Sequence, residues 1–279
     1  MTDGNCNTGK KQQALLDSLC ALDSLLVAYS GGVDSAYLAW AAHRALGARA
    51  LAVTAVSPSY SAHDRAQAEH CAQVAGFRHE LISTAEFSNP LYVANNADRC
   101  YHCKSELFEV LDRIAAEGRF AAVAYGINAD DTHDFRPGHR AAAEHRVLAP
   151  LLDAELTKAE IRELARAAGL PVWDRPASAC LSSRVPYGTA VTPEILARIE
   201  QGEAILRDLG FRQFRLRYHN EIARIEVARD EMPRALDPAV AAAIAARLKA
   251  LGFTYVTLDL EGYRQGSLNA ALKKTAVGQ

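Results

Sequence analysis

Leu25–Trp40, "LLVAYSGGVDSAYLAW", decides how this 279-residue chain is read. Residues 25–29 form an apolar run of strand length, two glycines follow, and "SAYLAWAAHRAL" (35–46) repeats its apolar positions at helical spacing. Strand, turn and helix in that order predict a loop whose backbone N–H groups converge on an anion, helped by the helix dipole. Gly31 and Gly32 let a phosphate approach the backbone with no Cβ in the way, and Ser30 and Ser35 add hydroxyl donors. Asp34 would repel a bare phosphate, which suggests a divalent cation between its carboxylate and the ligand. No Gly-Lys-Ser/Thr is present, so this is not a Walker A loop.

Outward from that stretch the pattern repeats. "ARALAVTAVS" (48–57), "RHELIST" (78–84) and "AAVAYGIN" (121–128) read as further strands, separated by helical segments at 62–76 and 103–118. Thr157-x-x-Glu160 is a capping box opening an amphipathic helix. Apolar strands alternating with crossover helices predict an α/β domain over residues 12–178, a parallel sheet covered on both faces. Ligands of such sheets bind at the carboxyl ends of the strands, which puts Gly31-Gly32 and Gly126-x-Asn128 on the ligand side. From 179 to 272 the rhythm is helix, hairpin across His219-Asn220, helix and strand, a smaller α+β domain. Residues 1–11 and 273–279 read as flexible tails.

A formal net charge of −2 gives no overall pull toward nucleic acid or anionic membrane. No apolar run is long enough to span a bilayer, and the polar start "MTDGNCNTGKKQQ" lacks the core of a secretory signal, so a cytoplasmic protein is expected. Six unevenly spaced cysteines suit reduced thiols better than a disulfide framework.

Two cysteine sites call for separate reading. Cys100-x-x-Cys103 has no second pair to complete a structural zinc site, and structural, metal and redox roles all remain open for it. Cys180 stands alone in "WDRPASACLSSRVPYGT" (173–189), among Ser178, Ser182, Ser183, Arg175 and Arg184, which would favour the nucleophilic thiolate. Either a reactive or an inert surface cysteine is compatible with that loop. In the hairpin, Arg215 and Arg217 share a strand face and could clamp a phosphate or carboxylate, or simply form a solvated face; Glu203 and Glu226 could pair with them or bind metal.

The SGGVDS loop resembles the pyrophosphate loop (PP-loop) of the ATP pyrophosphatase superfamily, which splits ATP between its α and β phosphates. By that resemblance Ser30–Ser35 hold pyrophosphate with Mg²⁺ at Asp34, adenine lies near Ala28 and Ser57, and Gly126 lies near the ribose. With "RCYHCKSELF" (99–108), "GINADDTHDFRPG" (126–138) and the stretch from Pro176 to Val227, the chain is similar to the LarE family, ATP-dependent sulfur transferases of nickel-pincer nucleotide cofactor biosynthesis. The similarity runs from about residue 12 to about residue 270.

It implies a small-molecule substrate, a pyridinium mononucleotide bearing carboxylates, and a homo-oligomeric, cytoplasmic enzyme using ATP and Mg²⁺. One carboxylate is adenylated, the cysteine matching Cys180 displaces AMP to form a thioester, and elimination leaves a thiocarboxylate product and dehydroalanine in the chain. Arg215 and Arg217 would hold the substrate phosphate, Arg184 the activated carboxylate, and Glu203 and Glu226 a metal or the elimination step. Family members that replenish sulfur through an iron–sulfur cluster carry further cysteines nearby. Here Ala177, Ala179 and Ser183 flank Cys180, so the self-consuming chemistry is expected. The competing readings are an ammonia-using amidotransferase-type synthetase with Cys180 a bystander, a tRNA-thiolating enzyme, and a non-catalytic nucleotide sensor.

Overall fold

The computed structural model describes residues 3–133, 137–176, 178–264 and 266–267. In chain order the elements are α1 (Asp3–Cys20), β1 (Leu25–Ala28), α2 (Val33–Leu46), β2 (Ala50–Val56), α3 (Ala62–Ala75), β3 (His79–Ser83), α4 (Pro90–Val93), α5 (Arg99–Gly118), β4 (Ala122–Tyr125), α6 (Pro137–Glu144), α7 (Pro150–Asp153), α8 (Lys158–Ala167), α9 (Pro193–Asp208), β5 (Phe214–His219), β6 (Ile222–Val227), α10 (Met232–Ala235), α11 (Pro238–Ala250) and β7 (Tyr255–Leu258).

The chain forms two compact units, Met1–Glu86 with Cys100–Ser178, and Phe87–Arg99 with Ala179–Gln279. The second unit therefore takes a segment from between β3 and α5, which a single boundary after Ser178 leaves with the first. Its reason is local chemistry. Asn95, fully buried, donates its side-chain amide to the carbonyls of Val185, Pro186 and Thr189, and the Tyr92 hydroxyl meets that of Ser182 at 2.8 Å.

The first unit is α/β, with a four-stranded all-parallel sheet in the order β3-β2-β1-β4. Both faces of its central strands are buried, as parallel sheets require. Leu25 and Val27 of β1 with Ala50 and Ala52 of β2 pack among residues of α1, α2, α3 and α8. Leu26 and Ala28 with Leu51 and Val53 face Phe108 and Leu111 of α5 and Ala141 and Ala142 of α6. The chain reverses its direction of winding between β1 and β4, the crevice where α/β sheets bind ligands.

Residues 3–11 are helical, not a loose tail. Lys11 Nζ reaches the Glu155 carbonyl at 2.8 Å and both Glu160 carboxylate oxygens at 2.9 Å, and Thr8 is buried. Burial raises the Glu160 carboxyl, but hydrogen bonds from Thr157 and Lys11 outweigh it and hold that carboxyl below the ordinary range. Residues 273–279 lie outside the described residues. Thr157 and Glu160 do form the reciprocal capping box at the start of α8.

The second unit carries a three-stranded sheet, β5-β6-β7, antiparallel then parallel. Phe214, Leu216, Ala223, Ile225 and Val227 of one face pack on Leu196, Ile199 and Leu206 of α9 and Ile244 and Leu248 of α11. Most alternate residues of β5 and β6 on the other face are polar or charged, yet two of them, Arg217 and Glu226, are buried. Among the described residues no helix is long and apolar enough to cross a membrane.

Candidate active site

In the first unit the SGGVDS segment joins β1 to α2 across an uncapped helix start. Gly32 is the N-cap and supplies no side-chain acceptor, so the first N–H groups of α2 keep their capacity for an anion. Ser35 shapes the loop from within: its hydroxyl accepts from Ser30 N at 3.1 Å, donates to Gly32 O at 3.1 Å and meets the Ser30 hydroxyl at 3.1 Å. Gly31 is left-handed at φ 76°, and a Cβ there would come within 2.9 Å of Ala68 Cβ. Tyr60 donates to Ser30 O at 3.1 Å, and Arg175 to Gly31 O at 3.4 Å. The carbonyls of Ser30 and Gly31 are thus braced by Tyr60 and Arg175.

Gly126, immediately after β4, lies against the same helix start. An added Cβ would sit 2.7 Å from Ser35 N and 2.8 Å from Ser35 Cα, backbone atoms that cannot yield. Glycine is therefore required for packing at this position, whatever it offers a ribose. Gly126→Ala is expected to cost about 1–3 kcal/mol of stability, the usual penalty for overpacking, and to weaken nucleotide binding by displacing Ser35. Thermal melts with and without ATP measure both.

Asp34 shows what could hold a cation. Its Oδ2 is paired with Lys158 Nζ, while its buried Oδ1 has no hydrogen-bond partner. Burial raises the Asp34 carboxyl above its ordinary value despite Lys158. A half-buried carboxylate with an unused oxygen, beside N–H groups suited to phosphate, fits Mg²⁺ shared with a polyphosphate. Lys158 escaped the sequence reading. A basic residue in the first turn of α8 opposes the helix dipole, which is the signal that marks it.

Ser57, just past β2, donates to buried Glu86, which also accepts from Ser59 at 3.1 Å. Ala28 ends β1, its Cα in register with Val53 and Tyr125. The expected nucleotide positions Ala28, Ser30–Ser35, Ser57 and Gly126 accordingly all fall at or beyond the carboxyl ends of β1, β2 and β4. Asp64 joins them from α3, pairing with Arg175 and accepting from Ser178 at 3.2 and 3.3 Å.

In the second unit Cys180 is exposed and is the N-cap of a 3₁₀ turn, Leu181–Arg184. Arg184 is 2% exposed, and its Nε and Nη2 meet the two oxygens of Glu203 at 2.8 and 3.0 Å. Its Nη1 donates to the Ala179 carbonyl, to the Cys180 carbonyl at 2.9 Å and to the Ser183 hydroxyl at 3.1 Å. Arg217 donates to Ser183 O at 2.9 Å and pairs with Glu226 at 2.8 Å. Two guanidiniums, each backed by a buried carboxylate, grip the backbone that carries Cys180.

Those pairings involve the residues expected at the substrate and at a metal. Arg184 is directed at its own loop. Arg217 donates to Glu226, Ser183 and Ser267, while its buried Nε has no hydrogen-bond partner. Glu203 and Glu226 pair with Arg184 and Arg217, one of the two roles the sequence left open for them; Glu226 also binds Arg224 at 3.3 Å. Among the described residues no group of three or more His, Cys, Asp or Glu could hold a metal ion. Arg215 remains half-buried beside the Tyr263 ring, its guanidinium made more acidic first by burial and then by Arg184.

No protein-family model matches the chain. It is 44% identical over 253 residues to an uncharacterized protein of Synechocystis sp., covering 91% of this chain and 94% of that one. An uncharacterized protein of Methanocaldococcus jannaschii is 28% identical over 240 residues, 86% of this chain and 90% of its own. The pyridinium-3,5-bisthiocarboxylic acid mononucleotide synthase of Lactiplantibacillus plantarum is 35% identical over 265 residues, 95% of each chain. With that identity across nearly the whole length, the chain belongs to the family of this synthase, the LarE family.

Proposed function

We propose that this protein is an enzyme of pyridinium bisthiocarboxylate mononucleotide synthesis that transfers sulfur to a small-molecule nucleotide, and that the sulfur is that of Cys180. The observation that carries the reading is the isolated, exposed Cys180 on a rigidly held turn, in a chain 35% identical to such a synthase. ATP would bind at the SGGVDS loop and adenylate a substrate carboxylate, converting a poor electrophile into one with AMP as leaving group. Mg²⁺ held with Asp34 would offset the phosphate charge as it develops. The backbone N–H groups of 31–34 and Lys158 would hold pyrophosphate, and Arg215 and Arg217 the substrate phosphate. Cys180 then attacks the acyl-adenylate, AMP departs, and a thioester joins substrate to protein. Breaking the Cβ–Sγ bond frees the thiocarboxylate and leaves dehydroalanine, so each chain acts once.

Intact-protein mass spectrometry after incubation with ATP, Mg²⁺ and the pyridinium biscarboxylate mononucleotide tests this. The expected result is loss of the elements of H₂S from the chain, mapped to Cys180. An unchanged protein mass alongside a sulfurated product would sink the sacrificial reading and point to a sulfur relay.

A further inference from the structure

The Cys180 carbonyl oxygen, part of the peptide backbone, accepts two hydrogen bonds: Arg184 Nη1 at 2.9 Å and Ser183 N at 3.0 Å. The first donor is a full cation, locked in place by a bidentate pair with Glu203. Such investment in one main-chain carbonyl of an exposed turn exceeds what the turn needs, since the Ser183 N–H alone closes it.

The elimination step gives that carbonyl a chemical task. A proton leaves Cα of the acylated Cys180 for a solvent base, water or buffer, to which the exposed residue is open. The freed electron pair becomes the Cα–Cβ double bond, the Cβ–Sγ bond breaks, and its pair departs on sulfur as the thiocarboxylate. No oxidant or reductant is consumed. Charge building on Cα delocalises onto the adjacent carbonyl, so the developing oxyanion is the Cys180 oxygen itself. An enolate keeps that oxygen in the plane of its carbon. Donors aligned on the ground-state carbonyl are therefore already aligned on the oxyanion, at the separation such sites require.

We propose that Arg184 and the Ser183 N–H form an oxyanion hole for the Cys180 enolate, making Arg184 a catalytic residue of sulfur release and Glu203 its positioning residue. This rests on the sacrificial-cysteine reading and adds to it the group that drives the second half of the reaction. Ala179 O and the Ser183 hydroxyl share the same Nη1, and the charge-assisted bonds are the strong kind.

The test follows the covalent adduct by rapid-quench mass spectrometry with ATP, Mg²⁺ and the pyridinium biscarboxylate mononucleotide. Chains carry cysteine deuterated or protonated at Cα, and the wild type is compared with Arg184→Lys and with the Arg184→Gln/Glu203→Gln double variant. The expected result is that adduct decay slows about a hundred- to a thousandfold, the usual loss for one oxyanion donor, and far more than adduct formation does. The thioester then accumulates, and the isotope effect on its decay grows. Decay at the wild-type rate in a variant that melts cooperatively overturns the assignment, as does equal slowing of formation and decay. If neither variant melts cooperatively, Arg184 serves the fold and the assignment fails. A wild-type chain that forms neither adduct nor dehydroalanine overturns the sulfur-transfer reading itself, and this assignment with it.

Discussion

Cys180→Ala is expected to abolish the thiocarboxylate product while substrate-dependent exchange of labelled pyrophosphate into ATP continues. The SGGVDS loop proposed to bind ATP belongs to the first unit, and Cys180 to the second, on a turn whose shape depends on Arg184, Arg217 and Ser183. Because the side chain is exposed, removing its sulfur leaves no buried cavity, and stability should move by no more than about 0.5 kcal/mol. The loss of product is then chemical and not structural, and no amount of added enzyme restores it. Product at the wild-type level would make Cys180 a bystander, as in the ammonia-using synthetases that share the pyrophosphate loop.

Asp34→Asn should separate activity from stability in the opposite sense. The single-event rate of AMP formation is expected to fall at least about a hundredfold, because an amide cannot balance the charge of a cation shared with the phosphates. The melting temperature at neutral pH should hold or rise. Burial raises the folded-state pKa of Asp34 above its unfolded value, so the folded protein takes up its proton more readily than the unfolded chain. That contribution favours folding below the unfolded pKa and is lost as pH rises through the folded one. At neutral pH the ionised carboxylate therefore costs stability, which asparagine relieves. An unchanged rate of AMP formation in Asp34→Asn would remove the carboxylate from the reaction.

The first unit was readable because its signals are local. β1, β2 and β4 are apolar runs, α8 opens on a capping box within four residues, and the glycines after β1 mark a turn whatever surrounds it. Pairings between distant segments leave no such trace. Arg184 with Glu203, Arg217 with Glu226 and Lys158 with Asp34 are 19, 9 and 124 residues apart, and nothing in the spacing says which arginine meets which carboxylate. The hairpin's charged positions alternate as a solvated face would, so its burial was invisible from the pattern. Residues 3–11 failed for the same reason: a polar string reads as a tail until Lys11 finds Glu160.

The second unit's use of residues 87–99 bears on how the protein can be made and cut. Tyr92 and Asn95 leave the ribosome long before Val185, Pro186 and Thr189, the partners that Asn95 needs. During synthesis a buried-type aromatic and an amide wait, unsatisfied, for some ninety residues of chain. A fragment ending at Ser178 would keep them waiting permanently, with an apolar ring and a bare amide open to water where the whole chain has a packed interior. The two units are thus separable in space but not in sequence, and neither can be inherited, expressed or deleted as a single continuous stretch.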